Sequence, residues 1–224
     1  MNYKRKLDPT ILREYDIRGV VGKSLKVEDV RLIGRAFGSI VIDSMKSEKV
    51  PTVAVGYDGR LSSLEFSDAV CSGLEAAGID VTNVGCGPSP MLYYATHELS
   101  SDAGLMVTGS HNPANYNGIK LVLAGKPFFG ADIQRLGKIV EMGDFKDGLG
   151  STKQHNLEAK YIRRLLQDFS GGKELSVAWD PGNGSSGEIV QKLIKNLPGE
   201  HFLINEKIDG NFPAHHPDPT VESN

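Results

Sequence analysis

Short apolar runs alternate with helical patterns along most of this chain, and that alternation restricts the fold more than any other feature. Val30, Ile33, Phe37, Ile40 and Val41 recur at helical spacing between Val27 and Met45. "TVAVGYDGR" follows as a short buried strand and its loop. A helix is expected from Ser62 to Ala77, with Ser62 and Glu65 spaced as a capping box and Gly78 as a stop. "IDVTNVG" reads as the next strand, and Pro88 to Leu99 as a helix opened by prolines. Ala103 to Val107 and Ile119 to Leu123 read as strands, and Ala131 to Met142 as a helix. This rhythm predicts an α/β fold, a three-layer αβα sandwich with a mostly parallel sheet. Ligands of such sheets bind at the carboxyl ends of the strands. The loops after Val55, Val84 and Val107 are therefore the expected site.

"EMGDFKDGLGSTKQ" has no hydrophobic period and is rich in Gly, Asp, Lys and Ser. It reads as a boundary, dividing the chain into units 1–150 and 151–224. Beyond it, Asn156 to Phe169 is an amphipathic helix with Tyr161, Leu165, Leu166 and Phe169 on one side. "LSVAWDPGNGSSG" then repeats the plan of "TVAVGYDGRLSS": an apolar strand, an aspartate, a Gly-rich loop, and a helix, here from Glu188. Any βα unit with a Gly-rich loop also shows that plan, so duplication is one reading of it. The second unit holds two helices and two strands, Leu175 to Trp179 and His201 to Ile204. About 70 residues is small for a self-sufficient open α/β domain, so an incomplete second αβα unit is expected, part of something longer.

Composition excludes several classes. Hydrophobic residues are 39%, charged residues 24%, and the formal net charge is -3. Nothing favours nucleic acid or an anionic membrane, so phosphate binding must come from local cations. Cys71 and Cys86 have neither disulfide-scaffold nor zinc spacing and read as free thiols, buried or incidental. No run reaches the roughly 18 apolar residues of a membrane span. "MNYKRKLDPT" has no apolar region of the signal-peptide kind, so a cytoplasmic protein is expected.

The segment "GLMVTGSHNPANYNGIK", 104–120, concentrates reactive side chains. Gly109 is expected at φ > 0 to turn the backbone tightly, and Pro113 restricts Asn112 and stiffens the exit. Ser110 then projects from a rigid loop, which suits a group that must meet an incoming atom in line. Acyl transfer fits poorly, because Asn112 stands where the GxSxG elbow needs glycine. No GxxxxGK[ST] or clean GxGxxG follows a strand, which disfavours a nucleotide loop. A phosphorylated serine acting as a phosphoryl carrier needs cations, usually a metal, and a base. Arg18 in "REYDIRG", Arg60 in "GYDGRLSS" and Lys120 supply cations. Ordinary alternatives stand beside these roles. Arg18 can pair with Asp16 or Asp58 at the surface, Lys120 can be a solvated strand end, and His111 can bond a backbone carbonyl. "AHHPDP" offers His215, His216 and Asp218 as a metal patch, but two adjacent histidines without a third spaced ligand seldom close a site. "DPGNGSSG" reads as a strand-to-helix turn.

Taken in order, "YDIRG", "GYDGR", "TGSHNPANYNGIK", "VAWDPGNGSSG" and "DGNFPAHHPDP" resemble the α-D-phosphohexomutase family, in particular its phosphomannomutase/phosphoglucomutase branch. The opening differs from the FGTDGIRG type of the phosphoglucosamine mutase branch. The resemblance implies four domains around a cleft, the first three related αβα sandwiches. It implies a phosphoserine that exchanges its phosphoryl group with hexose 1- or 6-phosphate through a hexose 1,6-bisphosphate. By that resemblance Ser110 would be the phosphoserine and, through its phosphate, a ligand of Mg²⁺. Lys120 would be the general acid/base and His111 a hydrogen-bonding neighbour. Tyr15, Arg18, Arg60 and Asn112 would bind substrate, Arg60 as a supporting cation. The family's DGDGDR metal loop, its sugar-specificity loop and its last phosphate loop are not in this sequence. The chain is therefore expected to be the first domain and part of the second, without mutase activity or tight Mg²⁺ binding alone. No nucleic acid or membrane partner is implied, and a monomer or weak dimer is expected. A non-catalytic sugar-phosphate or partner-binding module is the alternative.

Overall fold

A computed structural model describes residues 5–45 and 49–222; residues 1–4 of the basic start lie outside them. The strands are β1 (Ile17–Val20), β2 (Thr52–Tyr57), β3 (Asp80–Cys86), β4 (Ala103–Val107), β5 (Tyr116–Leu123), β6 (Lys126–Pro127), β7 (Thr152–Gln154), β8 (Leu175–Trp179) and β9 (Gly199–Leu203). The helices are α1 (Val27–Ser44), α2 (Ser63–Ala77), α3 (Ser89–Glu98), α4 (Ala131–Met142), α5 (Glu158–Gln167) and α6 (Gly187–Leu193). The main sheet runs β1-β5-β4-β2-β3-β7, with β6 beside β5. β4, β2, β3 and β7 are mutually parallel, and β1, β5 and β6 are antiparallel to their neighbours.

Helices lie on both faces of that sheet. Val53, Val55, Leu105, Val107, Ile119 and Ile17 point into a core with α1, α2 and α4, where Val30, Ile33, Phe37 and Leu136 are fully buried. The opposite pleat places Ala54, Val84 and Met106 against Leu92 and Ala95 of α3. Gly78 ends α2 in the left-handed region at φ 96°, as a helix stop requires. The capping box expected at Ser62 does not form. Ser62 Oγ instead accepts a hydrogen bond from Asn117 Nδ2, which ties the start of α2 to β5.

Two other expectations change. Within the irregular segment after α4, Thr152–Gln154 pairs parallel to β3 and extends the main sheet. All three residues are exposed, so no apolar alternation marks the strand. On α5 Tyr161 and Leu166 pack as expected, with Ile162, Met91 and Ile189, while Leu165 and Phe169 are exposed. The second unit's sheet consists of β8 and β9, paired in parallel, with Leu175 and Phe202 exposed. Cys71 is buried and Cys86 exposed, both as free thiols.

Candidate active site

The carboxyl ends of β2, β3 and β4 meet as parallel strands must, and their loops form one side of the site. Between them lies a cavity of ≈ 250 Å³ lined by Asp58, Ser89, Thr108 and Ser110, and by Ser185 and Phe212 of the second unit. Asp58, just past β2, binds this cluster together. Its carboxylate accepts from Thr108 Oγ1 at 2.8 Å, Gly109 N at 3.0 Å, Ser63 Oγ at 2.5 Å, and from Arg60 N at 3.1 Å and Nε at 3.2 Å. Ionised acceptors make the stronger hydrogen bonds, so one aspartate fixes two loops and a helix start.

Arg60 does not face the cavity as a spare cation. Nη1 donates to the carbonyls of Pro113 at 2.6 Å and Tyr116 at 3.0 Å; Nη2 donates to those of Ser110 at 2.8 Å and Asn112 at 2.7 Å. With Nε on Asp58, every guanidinium N–H is engaged within the chain. Burial lowers its pKa below the ordinary arginine value and Asp58 opposes that shift. Gly109 has a different function from the one expected. It is absent from the positive-φ positions, whereas Ser110 itself sits at φ 52°. A Cβ on Gly109 would lie 2.1 Å from Arg60 Nε, so only glycine lets the guanidinium lie against the loop.

Ser110 is exposed at the tip of this frame. Its N–H donates to Thr108 Oγ1 at 2.9 Å and its carbonyl accepts from Arg60. Non-glycine residues seldom hold φ > 0, and here hydrogen bonds on both sides fix it. Asn112 closes the turn, its N–H and Nδ2 both donating to Gly109 O at 3.1 Å. His111 is exposed beside Ser110. Its charge contributes to holding the Asp218 carboxyl low, behind the larger effect of the Thr220 hydrogen bonds.

The second side of the site comes from β1 and β5. Ile17 and Ile119 point into the core, so Arg18 and Lys120, one residue on, emerge on the opposite face. Helix α3 packs there on β2, β3 and β4, and a groove of ≈ 290 Å³ separates it from β5, lined by Tyr15, Tyr93, His97, Lys120 and Val122. Arg18 is buried and donates from Nη1 to Gly109 O at 2.7 Å and from Nη2 to the Asp16 carboxylate. Burial lowers the Arg18 pKa, chiefly opposed by Asp16. Its Nε is buried without a partner among the described residues. Lys120 Nζ lies 3.4 Å from Asp16 Oδ2 and its side chain is partly exposed. A continuous chain of polar contacts thus runs from the serine loop through Arg18 and Asp16 to Lys120. Tyr15 is 75% exposed, its ring 6.4 Å from that of Phe129.

The structure therefore gathers Ser110, His111 and Asn112 on one loop and connects them to Arg18 and Lys120. The surface pairing considered for Arg18 is a buried pair. Asp16, Asp58 and Thr108 carry the geometry but were not singled out as site residues; Asp16 and Asp58 stood only as pairing partners of Arg18. Their signal was position, each beside a motif arginine or at the loop's start. The "AHHPDP" histidine His215 pairs with Asp180 at 2.9 Å. Among the described residues no group of three or more His, Cys, Asp or Glu is placed to hold a metal ion. No helix there is long and apolar enough to cross a membrane.

Known proteins resemble this chain over nearly its whole length. The model for the phosphoglucomutase/phosphomannomutase alpha/beta/alpha domain I matches residues 9–147, and that for domain II matches 159–224. The chain belongs to the phosphoglucomutase/phosphomannomutase family. It is 42% identical over 218 residues to a phosphomannomutase/phosphoglucomutase of Pseudomonas aeruginosa, covering 97% of this chain and 46% of that protein. A phosphoglucomutase of Neisseria gonorrhoeae is 40% identical over 217 residues, with 96% and 46% covered. The crystal structure of a phosphoglucomutase/phosphomannomutase family protein from Burkholderia thailandensis superposes with TM-score 0.89 at 40% identity, over 96% of this chain and 48% of that one. The chain spans about half the length of the relatives it matches.

Proposed function

We propose that this chain forms the phosphoryl-carrier half of a cytoplasmic phosphohexomutase that interconverts hexose 1-phosphate and hexose 6-phosphate, of mannose, glucose or both. The observation that carries the reading is Ser110, exposed at a strained φ of 52° on a loop fixed by Asp58 and Arg60, and linked through Arg18 and Asp16 to Lys120. Ser110 carries the phosphoryl group. A sugar hydroxyl attacks phosphorus, the Oγ–P bond of the phosphoserine breaks, and Lys120 moves the proton from the attacking hydroxyl toward the leaving serine oxygen. The hexose 1,6-bisphosphate so formed turns and returns its other phosphoryl group to Ser110. Arg18 keeps positive charge beside the loop, and Tyr15, Asn112 and His111 border the space for the sugar phosphate.

Mg²⁺ neutralises phosphoryl charge in such reactions when bound. The residues here do not fit a complete site for it. Asp58, the carboxylate nearest the serine loop, is saturated by hydrogen bonds from the chain. A phosphate on Ser110 offers one ligand of an oxygen-rich octahedron.

The test is conversion of α-hexose 1-phosphate to the 6-phosphate by the full protein carrying this chain, with mannose and glucose forms in parallel. Turnover of at least one, lost in Ser110→Ala, is the expected result. A folded protein that binds hexose phosphate and isomerises neither sugar contradicts the reading and leaves a binding module.

A further inference from the structure

"DPGNGSSG" and "DGNFPAHHPDP" have no part in the chemistry above, yet together they build a contact onto Arg60. Asn183, buried and at φ 58°, organises it. Its N–H donates to Asn205 O at 2.8 Å, its carbonyl accepts from Asp209 N at 3.0 Å, and its Nδ2 donates to Lys207 O at 2.9 Å. Its Oδ1 accepts from Ala214 N at 3.3 Å. One residue of the strand-to-helix turn thus holds both sides of the 205–214 loop.

That loop is seated directly on the loop after β2. A Cβ on Gly59 would lie 2.3 Å from Ile208 Cγ2, and one on Gly210 would lie 2.6 Å from Leu61 N and 2.8 Å from Gly59 O. Glycine at 210 lets the two backbones approach this closely, and glycine at 59 leaves room for the Ile208 side chain. This approach delivers the Phe212 ring to 5.0 Å from Arg60 Cζ. The guanidinium is planar, and its in-plane donors are all spent on Asp58 and four carbonyls of the serine loop. Only its faces remain, and an aromatic ring is the side chain that recognises a cation's face. Phe212 occupies this position at φ 52°, a conformation bulky residues rarely adopt, and an observed outlier of that kind marks a place where surrounding structure imposes a function.

We propose that Arg60 is a positioning residue, not a phosphate-binding cation, and that Phe212 clamps it so that docking of the second unit sets the conformation of the Ser110 loop. The sequence route is Asn183 to the 205–214 loop, Phe212 to Arg60, and Arg60 to the carbonyls of Ser110, Asn112, Pro113 and Tyr116. Only the catalytic consequence rests on the phosphoryl-carrier reading; the clamp itself does not.

Hydrogen exchange on the full protein tests it. In Phe212→Ala the Asn112 and Tyr116 amides, both bonded within the serine loop, are expected to exchange roughly tenfold faster, the order of factor a desolvated cation–π contact carries. Amides of β4, and of β5 from Asn117 onward, stay unchanged. Phe212→Leu, which keeps an apolar contact without a ring face, behaves like the alanine variant, and Phe212→Tyr restores protection. Turnover falls in kcat with little change in KM, while Phe202→Ala on exposed β9 alters neither. Unchanged exchange at Asn112 and Tyr116 in both the alanine and leucine variants overturns the clamp, as does equal loosening throughout β4 and β5. Faster loop exchange in a protein whose Ser110 never carries phosphate supports the clamp and removes the carrier reading instead.

Discussion

Asp58 follows β2 and Asp180 follows β8, each opening a glycine-containing loop before a helix. Asp58 is 12% exposed in its side chain and collects donors from its own loop, from α2 and from the loop after β4. Asp180 is 35% exposed and accepts from Gly182 N, Asn205 Nδ2 and His215. The surrounding sheet makes the difference. β2 is central, with β3 and β4 on either side and helices on both faces. Among the described residues β8 has β9 alone beside it, and Leu175 and Phe202 face solvent. A central parallel strand ends among neighbouring loops that can be bonded to one another, and a two-stranded ribbon does not. The same local pattern therefore makes a buried, densely bonded site in the first unit and, in the second, a more exposed tether in which Asp180 holds Gly182, Asn205 and His215.

The proposed chemistry lies in the first unit, and the sharpest break is there. Lys120→Ala in the full protein is expected to lose about 10²–10⁴-fold in kcat, the contribution of a positioned general acid/base. Wild-type kcat in that variant removes Lys120 from the mechanism. Stability separates the units next. Phe37→Ala, in the closed core, is expected to cost about 3–5 kcal/mol in denaturant unfolding. Phe202→Ala, 59% exposed on β9, should stay within about 0.5 kcal/mol. Equal losses would mean that the second sheet is as well covered as the first. The smallest effect is in the tether. His215 is raised above its ordinary value of about 6.5, first by its bond to the His216 carbonyl and then by Asp180. Burial works to raise Asp180, but its hydrogen bonds from Asn205, His215 and Gly182 hold it below 3.8. A raised histidine stabilises fully below its unfolded value and loses that contribution as pH rises through its folded pKa. A lowered aspartate stabilises above its unfolded value and loses that contribution as pH falls through its folded pKa. The tether is thus strongest in mildly acidic solution, and an NMR titration should place His215 above about 6.5, with Asp180→Asn returning it downward. A His215 midpoint at or below the ordinary value contradicts the tether.

Much of the first unit was legible in the sequence because period and burial coincide there. Val30, Ile33 and Phe37 recur every three or four residues and face the core. β7 was not legible, since Thr152, Lys153 and Gln154 are all exposed and the strand forms by backbone pairing with β3. On α5, Leu165 and Phe169 share a helical side with Tyr161, but the packed stripe runs through Tyr161, Ile162 and Leu166 and leaves those two exposed. At the site, Ser110, Arg18 and Lys120 were recoverable from residue type and motif. The engagement of Arg60 with the serine loop was not, because donors to main-chain carbonyls leave no mark on the residues that supply those carbonyls. Nor does a sequence state that Ser110, rather than Gly109, takes the positive φ.

The central claim is that Ser110 carries the phosphoryl group. Intact-mass analysis of the full protein after exposure to hexose 1,6-bisphosphate, with fragmentation to locate the modification, tests it most directly. One added phosphoryl group on Ser110, discharged by hexose phosphate and absent from Ser110→Ala, is the predicted result. A phosphoryl group that persists in Ser110→Ala, or full turnover with Ser110 never phosphorylated, contradicts it.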